Sequence, residues 1–383
     1  MISGWNPKGS MTDRTFTMMA VGDLILDRPD AESFFEFTAP TLRSADVVVG
    51  HGEVVFTSRG MPTYTEIPAP PSDPKNMSAL PFAGFNVITL AGNHIWDSGA
   101  PGIEDTIAGL RKYDIAVTGA GMDIDEARIP AIIERDGIRF GFLSYNCVGP
   151  KASWATPDKP GCAYVHILTH CEVPNLLARS QIYTFAEPSS LKAMVDDIQK
   201  IRSRCDVLAV ALHKGIGHTA AELAMYDQQV SYAAIDAGAD LILGHHAHIL
   251  KGIEWYKGKI IFHGLCNFVT VTRALWPEEA PSWNLREHAK RRMERMQLDR
   301  EYLNYPFHPE ARQTIIAKCL VDHGEISRVS YLPCLIDKKG RPEILKNDEE
   351  GQQVFLYMDK ITREADLNAR YAWEGDEVVI YKE

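Results

Sequence analysis

The stretch Leu241-Ile242-Leu243-Gly244-His245-His246-Ala247-His248 decides how this chain reads. Three apolar residues run into a glycine and then into three imidazoles within four positions. A short Val/Ile/Leu run ending in a polar cluster reads as a buried strand with chemistry at its C-terminal end. The same arrangement recurs along the chain. Residues 16–22 run into Asp23, 47–50 into His51-Gly52-Glu53, 87–91 into Gly92-Asn93-His94, and 207–212 into His213. Helical spacing of apolar residues falls between these runs, at 102–113, 188–204 and 228–238. Strands alternating with helices predict an α/β fold.

Composition narrows the function classes. Of 383 residues, 45% are hydrophobic and 24% charged, as in an ordinary folded domain. The 51 acidic residues against 40 basic ones leave a net charge of −11. That balance repels polyanions, so no nucleic-acid partner is expected. The apolar runs fall well short of the ~20 residues of a bilayer span, and no membrane segment is expected. Residues 1–16 show no apolar leader core, and Met11 is an alternative start. Seven scattered cysteines without a CxxC pair suit reduced thiols, which points to a cytoplasmic location.

Three stretches break the rhythm. Residues 62–81 are proline-rich and read as a loop. Residues 149–186 and 274–309 lack core periodicity, and the second contains a charged helical piece at 286–303. Its Met293, Met296 and Leu303 read as a packing stripe on a solvated face. The expected organisation is a tail at 1–14, one domain over 15–345 with insertions near 150–186 and 270–310, and a C-terminal extension at 346–383 packed on the same domain. Long irregular segments in compact domains usually serve function. The two insertions are therefore expected to cover the site, with His166 or His170 among its lining residues.

Residues beyond the C-terminal ends of strands converge on one edge of an α/β sheet. Collecting them gives Asp23, Glu53, Asn93, His94, His213, His246 and His248. Taken singly, each has a plain reading. Asp23 is a turn former, Asn93-His94 is turn chemistry, and His213 is a hydrogen-bonded core histidine. Taken together, two carboxylates, an amide oxygen and three imidazoles form the mixed O/N set that borderline divalent metals favour. The set exceeds one four-coordinate ion, and a two-metal site uses it fully. Cys162, His166, His170 and Cys171 have a spacing that suggests zinc, yet His166 and His170 alternate along a strand, and the structural or pocket-lining reading is preferred. Cys266 has no adjacent base motif and reads as a small packing residue rather than a nucleophile.

The clusters Gly22-Asp23, Gly52-Glu53, Gly92-Asn93-His94, His213-Lys214-Gly215 and Gly244-His245-His246-Ala247-His248 occur in that order. Lys251-Gly252-Ile253-Glu254 and Gly264-Leu265-Cys266-Asn267-Phe268 follow. This succession resembles the CapA family, the poly-γ-glutamate capsule-synthesis-like branch of the calcineurin-like metallophosphatases. The resemblance implies a four-layer α/β sandwich, two mixed sheets flanked by helices, with two divalent ions (manganese, zinc or iron) at the sheet edge. It implies metal ligation by Asp23, Glu53, Asn93, His213, His246 and His248, with His94 protonating the leaving group. His245 stays outside the ligand set.

The sequence departs from the family around the presumed pocket. His51 replaces the Asn of Asn-Leu-Glu, and the Glu of His-Trp-Gly-x-Glu is missing after His213-Lys214-Gly215. No membrane anchor of the kind typical of the family is expected either. These changes place His51, Lys214, His218, His166 and His170 among candidate substrate residues, with Arg28 as a further basic group. The expected activity is metal-dependent hydrolysis of an amide-type C–N bond in a small molecule or γ-linked peptide. A phosphoesterase, or a non-catalytic component of poly-γ-glutamate assembly, are the alternatives.

Overall fold

A computed structural model describes residues 14–61, 63, 69–173, 180–279 and 283–383. The tail expected at 1–14 lies outside the described residues except for Arg14, as does part of the 62–81 loop. Within that loop, Pro74–Ser78 and Ala79–Ala83 form short helical turns.

Two mixed sheets carry the fold. The first runs in the order Ala369–Glu374, Glu377–Lys382, Glu325–Ile336, Gln313–Asp322, Phe16–Leu26, Val47–Gly52, Val87–Thr89, Ala116–Thr118. Asn267–Val271 and Pro342–Ile344 add to it at the side. The second runs Ile253–Tyr256, Lys259–Phe262, Leu241–His245, Val207–His213, Ile138–Asn146, Ala131–Arg135.

The period of two along each strand divides its side chains between two cores. On Phe16–Leu26, Met18 and Ala20 enter a cluster shared with Phe140, Phe142, Ala209 and Leu243 of the second sheet. Met19 and Val21 enter another with Ile103, Ile107 and Leu110 of the helix Gly99–Lys112. The outer face of the second sheet, through Leu208, Val210 and Ile242, meets Met194, Ile198, Val230 and Ala234. Those residues belong to helices Pro188–Arg202 and Met225–Ala237. The result is helix, sheet, sheet, helix: a four-layer α/β sandwich.

Local chemistry sets the helix ends. Pro188 occupies the first helical position, where its missing N–H costs nothing. The Glu187 carboxylate accepts the N–H groups of Ser189 and Ser190 at 2.9 and 2.8 Å. At the C-terminus, the helix Glu349–Glu364 sends Val354, Met358 and Ile361 into the inter-sheet core. Glu377–Lys382 pairs with the first sheet through Ser330–Val379 and Tyr331–Val378.

The irregular segments differ from expectation in detail. Within 149–186, Ile167–Glu172 and Gln181–Ala186 form an antiparallel hairpin. Within 274–309, the helix Trp283–Arg295 buries Ala289 and Arg292, and Met296 is buried just beyond its end, whereas Leu303 is exposed. The buried stripe contains an arginine because one face of that helix closes a cavity rather than a core.

The strand Phe16–Leu26 is the pivot of the first sheet. Its first half pairs antiparallel with Gln313–Asp322, from Phe16–Val321 to Ala20–Ala317. Its second half pairs parallel with Asn267–Val271, starting at Asp23–Asn267. At the fork, the Asp23 N–H donates to the Cys266 carbonyl at 3.0 Å. The backbones approach so closely that a Cβ on Gly22 would lie 2.0 Å from that carbonyl oxygen. Gly22→Ala is expected to lose about 2–3 kcal/mol or more, because a backbone atom must move. Gly50→Ala meets the side-chain ends of Phe85, Leu24 and Val21 rather than backbone and should lose less. Denaturant midpoints of the two variants test that order.

Candidate metal centre

Both sheets deliver their polar strand ends to one place. Asp23 arrives from the fork. Val47–Gly52 brings His51 and leads to Glu53, and Val207–His213 ends on His213. One ligand atom from each of these four buried side chains lies within 4.8 Å of the others. Glycines permit the approach. A Cβ on Gly244 would stand 2.2 Å from the His263 carbonyl oxygen, and one on Gly92 3.1 Å from the His51 ring.

The imidazoles enclose the carboxylates. His245 Nδ1 lies 3.0 Å from Asp23 Oδ1, and His248 Nδ1 lies 3.3 Å from Asp23 Oδ2. His248 Nε2 is 3.4 Å from Glu53 Oε1, and His51 Nε2 is 3.3 Å from Glu53 Oε2. Asn93 Oδ1 meets His213 Nε2 at 2.7 Å, and His246 Nδ1 meets the same nitrogen at 3.2 Å. The His51 ring lies 4.7 Å from both His213 and His245. His246 and His248 take left-handed backbone conformations, φ 82° and 51°, with the His248 ring against Asp23 and Glu53 and the His246 ring against His213.

Burial works to raise the Asp23 carboxyl, but His245 and His248 hold it well below its ordinary range. Burial and Asp23 act against ionised Glu53, and His213 with His51 hold it down. Burial lowers His213 well below the usual imidazole value and His246 to about 4, so both are neutral donors at pH 7.

Four buried atoms here lack a hydrogen-bond partner: both carboxylate oxygens of Glu53, Nε2 of His51 and Nδ1 of His213. An ionised carboxylate buried without donors costs several kcal/mol unless a positive charge faces it. Oxygen and neutral imidazole donors crowded around such a carboxylate fit a divalent cation.

A cavity of about 200 Å³ opens onto the cluster. Glu53, Asn93, His94, His246 and His248 form its inner side, and His218, Thr272, Leu275, Arg292 and Phe307 line the rest. His94 follows Asn93 on a turn at Asn93–Trp96, and its Nδ1 is 2.6 Å from Asp97 Oδ2. Asp97 was not singled out in the sequence, although its spacing of three from His94 on a tight turn is visible there.

Several expectations are corrected. His51, placed at the substrate from sequence, belongs to the buried carboxylate–imidazole cluster instead, because its Nδ1 contact with the Thr89 hydroxyl at 3.1 Å aims Nε2 at Glu53. His245, left outside, touches Asp23. Lys214 follows the last residue of the strand Val207–His213 and is held away from the cluster. It is fully buried, 3.0 Å from His263 Nδ1 and 3.6 Å from Asp227 Oδ1. His166 packs on Trp154, and His170 is exposed beside Tyr183 on the hairpin. Neither borders the cavity among the described residues. The zinc spacing does not assemble: the buried Cys162 thiol meets Asn146, Ser153 and the Gly92 carbonyl, while Cys171 is exposed. Arg28 is not among the described lining residues either, whereas His218 is. The insertion 270–310 lines the cavity through Thr272, Leu275, Arg292 and Phe307. The other insertion, expected to cover the site as well, contributes no lining residue among those described in 149–186, and its Lys159 lies over the Trp96 ring.

Fold and site define a four-layer α/β protein with a carboxylate–imidazole cluster at its strand ends. Residues 17–272 match the family described as bacterial capsule synthesis protein PGA_cap, and the chain belongs to that family. The capsule biosynthesis protein CapA of Bacillus anthracis is 27% identical over 264 residues, 66% of this chain and 59% of that protein. The PGA biosynthesis protein CapA of Bacillus subtilis is 26% identical over 276 residues, covering 67% and 64%. A probable polyglutamine synthesis accessory protein of Mycobacterium tuberculosis is 32% identical over 196 residues, covering 50% and 47%. The chain thus spans less than two thirds of the length of these relatives. Among solved structures, the calcineurin-like phosphoesterase YfkN of Bacillus subtilis aligns with a TM-score of 0.40 at 12% identity, covering 92% of this chain and 98% of that one. Likeness at that level says nothing of activity. Among the described residues no helix is long and apolar enough to cross a membrane.

Metal uptake is measurable without a substrate. Manganese or zinc at 100-fold above its Kd should stabilise the chelator-stripped chain by about 2.7 kcal/mol per site. Glu53→Gln should abolish most of that gain while leaving the metal-free protein at least as stable, since an unpaired buried charge has gone. His170→Ala should behave as the parent. Melting curves with and without metal check all three, and an undiminished gain in Glu53→Gln would rule the cluster out as the binding site.

Proposed function

We propose that the chain is a metal-dependent hydrolase that cleaves an amide-type C–N bond in a small or γ-linked peptide substrate. The observation that carries the reading is the Glu53 carboxylate, buried with both oxygens unpartnered and bordering the same cavity as His94. Asp23, His51, Glu53 and His213 would hold divalent metal, with Asn93, His246 and His248 beside them. The donor set is large enough for two ions. Metal bound there supplies electrostatic activation of the scissile centre and of water.

The remaining work falls to side chains of this protein. Asp97 fixes the His94 ring through Nδ1, so the proton that moves is carried at Nε2. The cavity is small and largely apolar beyond the cluster, with Ile25, Leu275 and Phe307 excluding water from the reacting group. His94 then delivers a proton to the departing nitrogen, without which an amine is a poor leaving group. The amide is preferred over a phosphoester because relatives matching this chain carry PGA and capsule biosynthesis in their names.

His94→Asn is expected to lower turnover by about 10²–10⁴-fold with metal content unchanged. The loss should be greatest for alkyl amides and least for nitrophenyl esters, whose leaving groups need no proton. Assays of the manganese-, zinc- and iron-loaded chain on a panel of γ-glutamyl amides, esters and phosphomonoesters test the class. Turnover confined to phosphomonoesters would replace the amide reading, and a metal-loaded chain inert on the whole panel would leave a non-catalytic assembly role.

A further inference from the structure

The helix Trp283–Arg295 belongs to an inserted segment and lays Ala289 and Arg292 toward the protein, with Met296 following. Arg292 is 7% exposed and lines the metal cavity. Its Nε donates to the Met296 thioether at 3.2 Å, and no carboxylate pairs with it among the described residues. Other shielded arginines of this chain are treated differently. Arg128 is paired with Asp197, Arg202 with Asp240, and Arg312 with Asp299. Thr272 lines the same cavity, and its hydroxyl donates to Asp27 at 2.9 Å.

We propose that Arg292 is the anion subsite of the metal cavity, receiving a carboxylate or phosphate oxygen pair carried by the substrate. A buried cation without a partner is costly, and it is tolerated where a ligand brings the opposite charge. The guanidinium fork matches the planar geometry of such an oxyanion and binds it with two parallel hydrogen bonds. Burial lowers Arg292 to about 10, which leaves it charged at neutral pH. His218 borders the same cavity. Leu275 and Phe307 also line the cavity. The expected ligand is an oxyanion joined to the scissile group through a short aliphatic stem.

That the anion belongs to a substrate rests on the hydrolase reading, but its binding does not. Calorimetric titration of the full metal-loaded chain with glutarate and, separately, with inorganic phosphate measures the subsite without turnover. Arg292→Met should weaken the preferred anion by about 10–100-fold, and Arg292→Lys by less, with metal content equal to that of the parent. The anion bound more tightly names the source. The ligand-free Arg292→Met protein should melt at or above the parent temperature, because a buried unpaired charge is gone. A structural prop would instead lower that temperature, and this outcome overturns the proposal. Undetectable binding of both anions to the parent, or equal affinity in Arg292→Met, overturns it too. Arg292-dependent binding in a chain that hydrolyses nothing would defeat the hydrolase reading and leave the subsite standing.

Discussion

Two ionised carboxylates, Asp23 and Glu53, share one buried site between the sheets, and much of the surrounding structure answers their charge. Like charges this deeply buried repel one another and lose their water. The protein supplies imidazoles on every side: His245 and His248 against Asp23, and His51, His213 and His248 against Glu53. The compensation is unequal. Asp23 also accepts the His246 N–H at 3.3 Å, whereas neither oxygen of Glu53 accepts a hydrogen bond among the described residues. That inequality marks Glu53 as the side chain most in need of a cation.

Backbone geometry is bent to the same end. His218, His246, His248 and Cys266 all take left-handed conformations, each costing of order 1–3 kcal/mol in a non-glycine residue. All four lie on the loops that follow Val207–His213 and Leu241–His245 or precede Asn267–Val271. The rigid strands hold these residues in place. Gly22 and Gly244 allow neighbouring backbones to pass at distances that any side chain would prevent.

A second, buried layer stabilises the loop that carries His218. Lys251 Nζ donates to the Thr219 and Glu222 carbonyls, and Lys214 lies between Asp227 and His263. His263 in turn meets Glu254 at 2.8 Å. These charges stand outside the cavity, so they shape it without touching what enters. The opposite wall comes from the inserted helix, where Arg292 takes a place that a methionine or leucine would fill in a plain core.

The sequence by itself determined the layered α/β class and the strands that deliver the cluster, because short Val/Ile runs closed by polar residues have few other uses. It also marked Asp23, Glu53, Asn93, His213, His246 and His248 as strand-end residues, a property of position along one strand. What lies across a cluster is a property of two sheets, and there the reading from one dimension failed. His51 looked like a substrate residue because its Thr89 partner is remote in the chain, and Lys214 looked like one because His263, which meets its ammonium, is remote too. Arg292 was hidden in a charged helix whose buried face is set by the cavity it covers. Only the tertiary structure decided these matters. Partner atoms brought from separate strands fix a ring's orientation, a lysine's side and an arginine's burial.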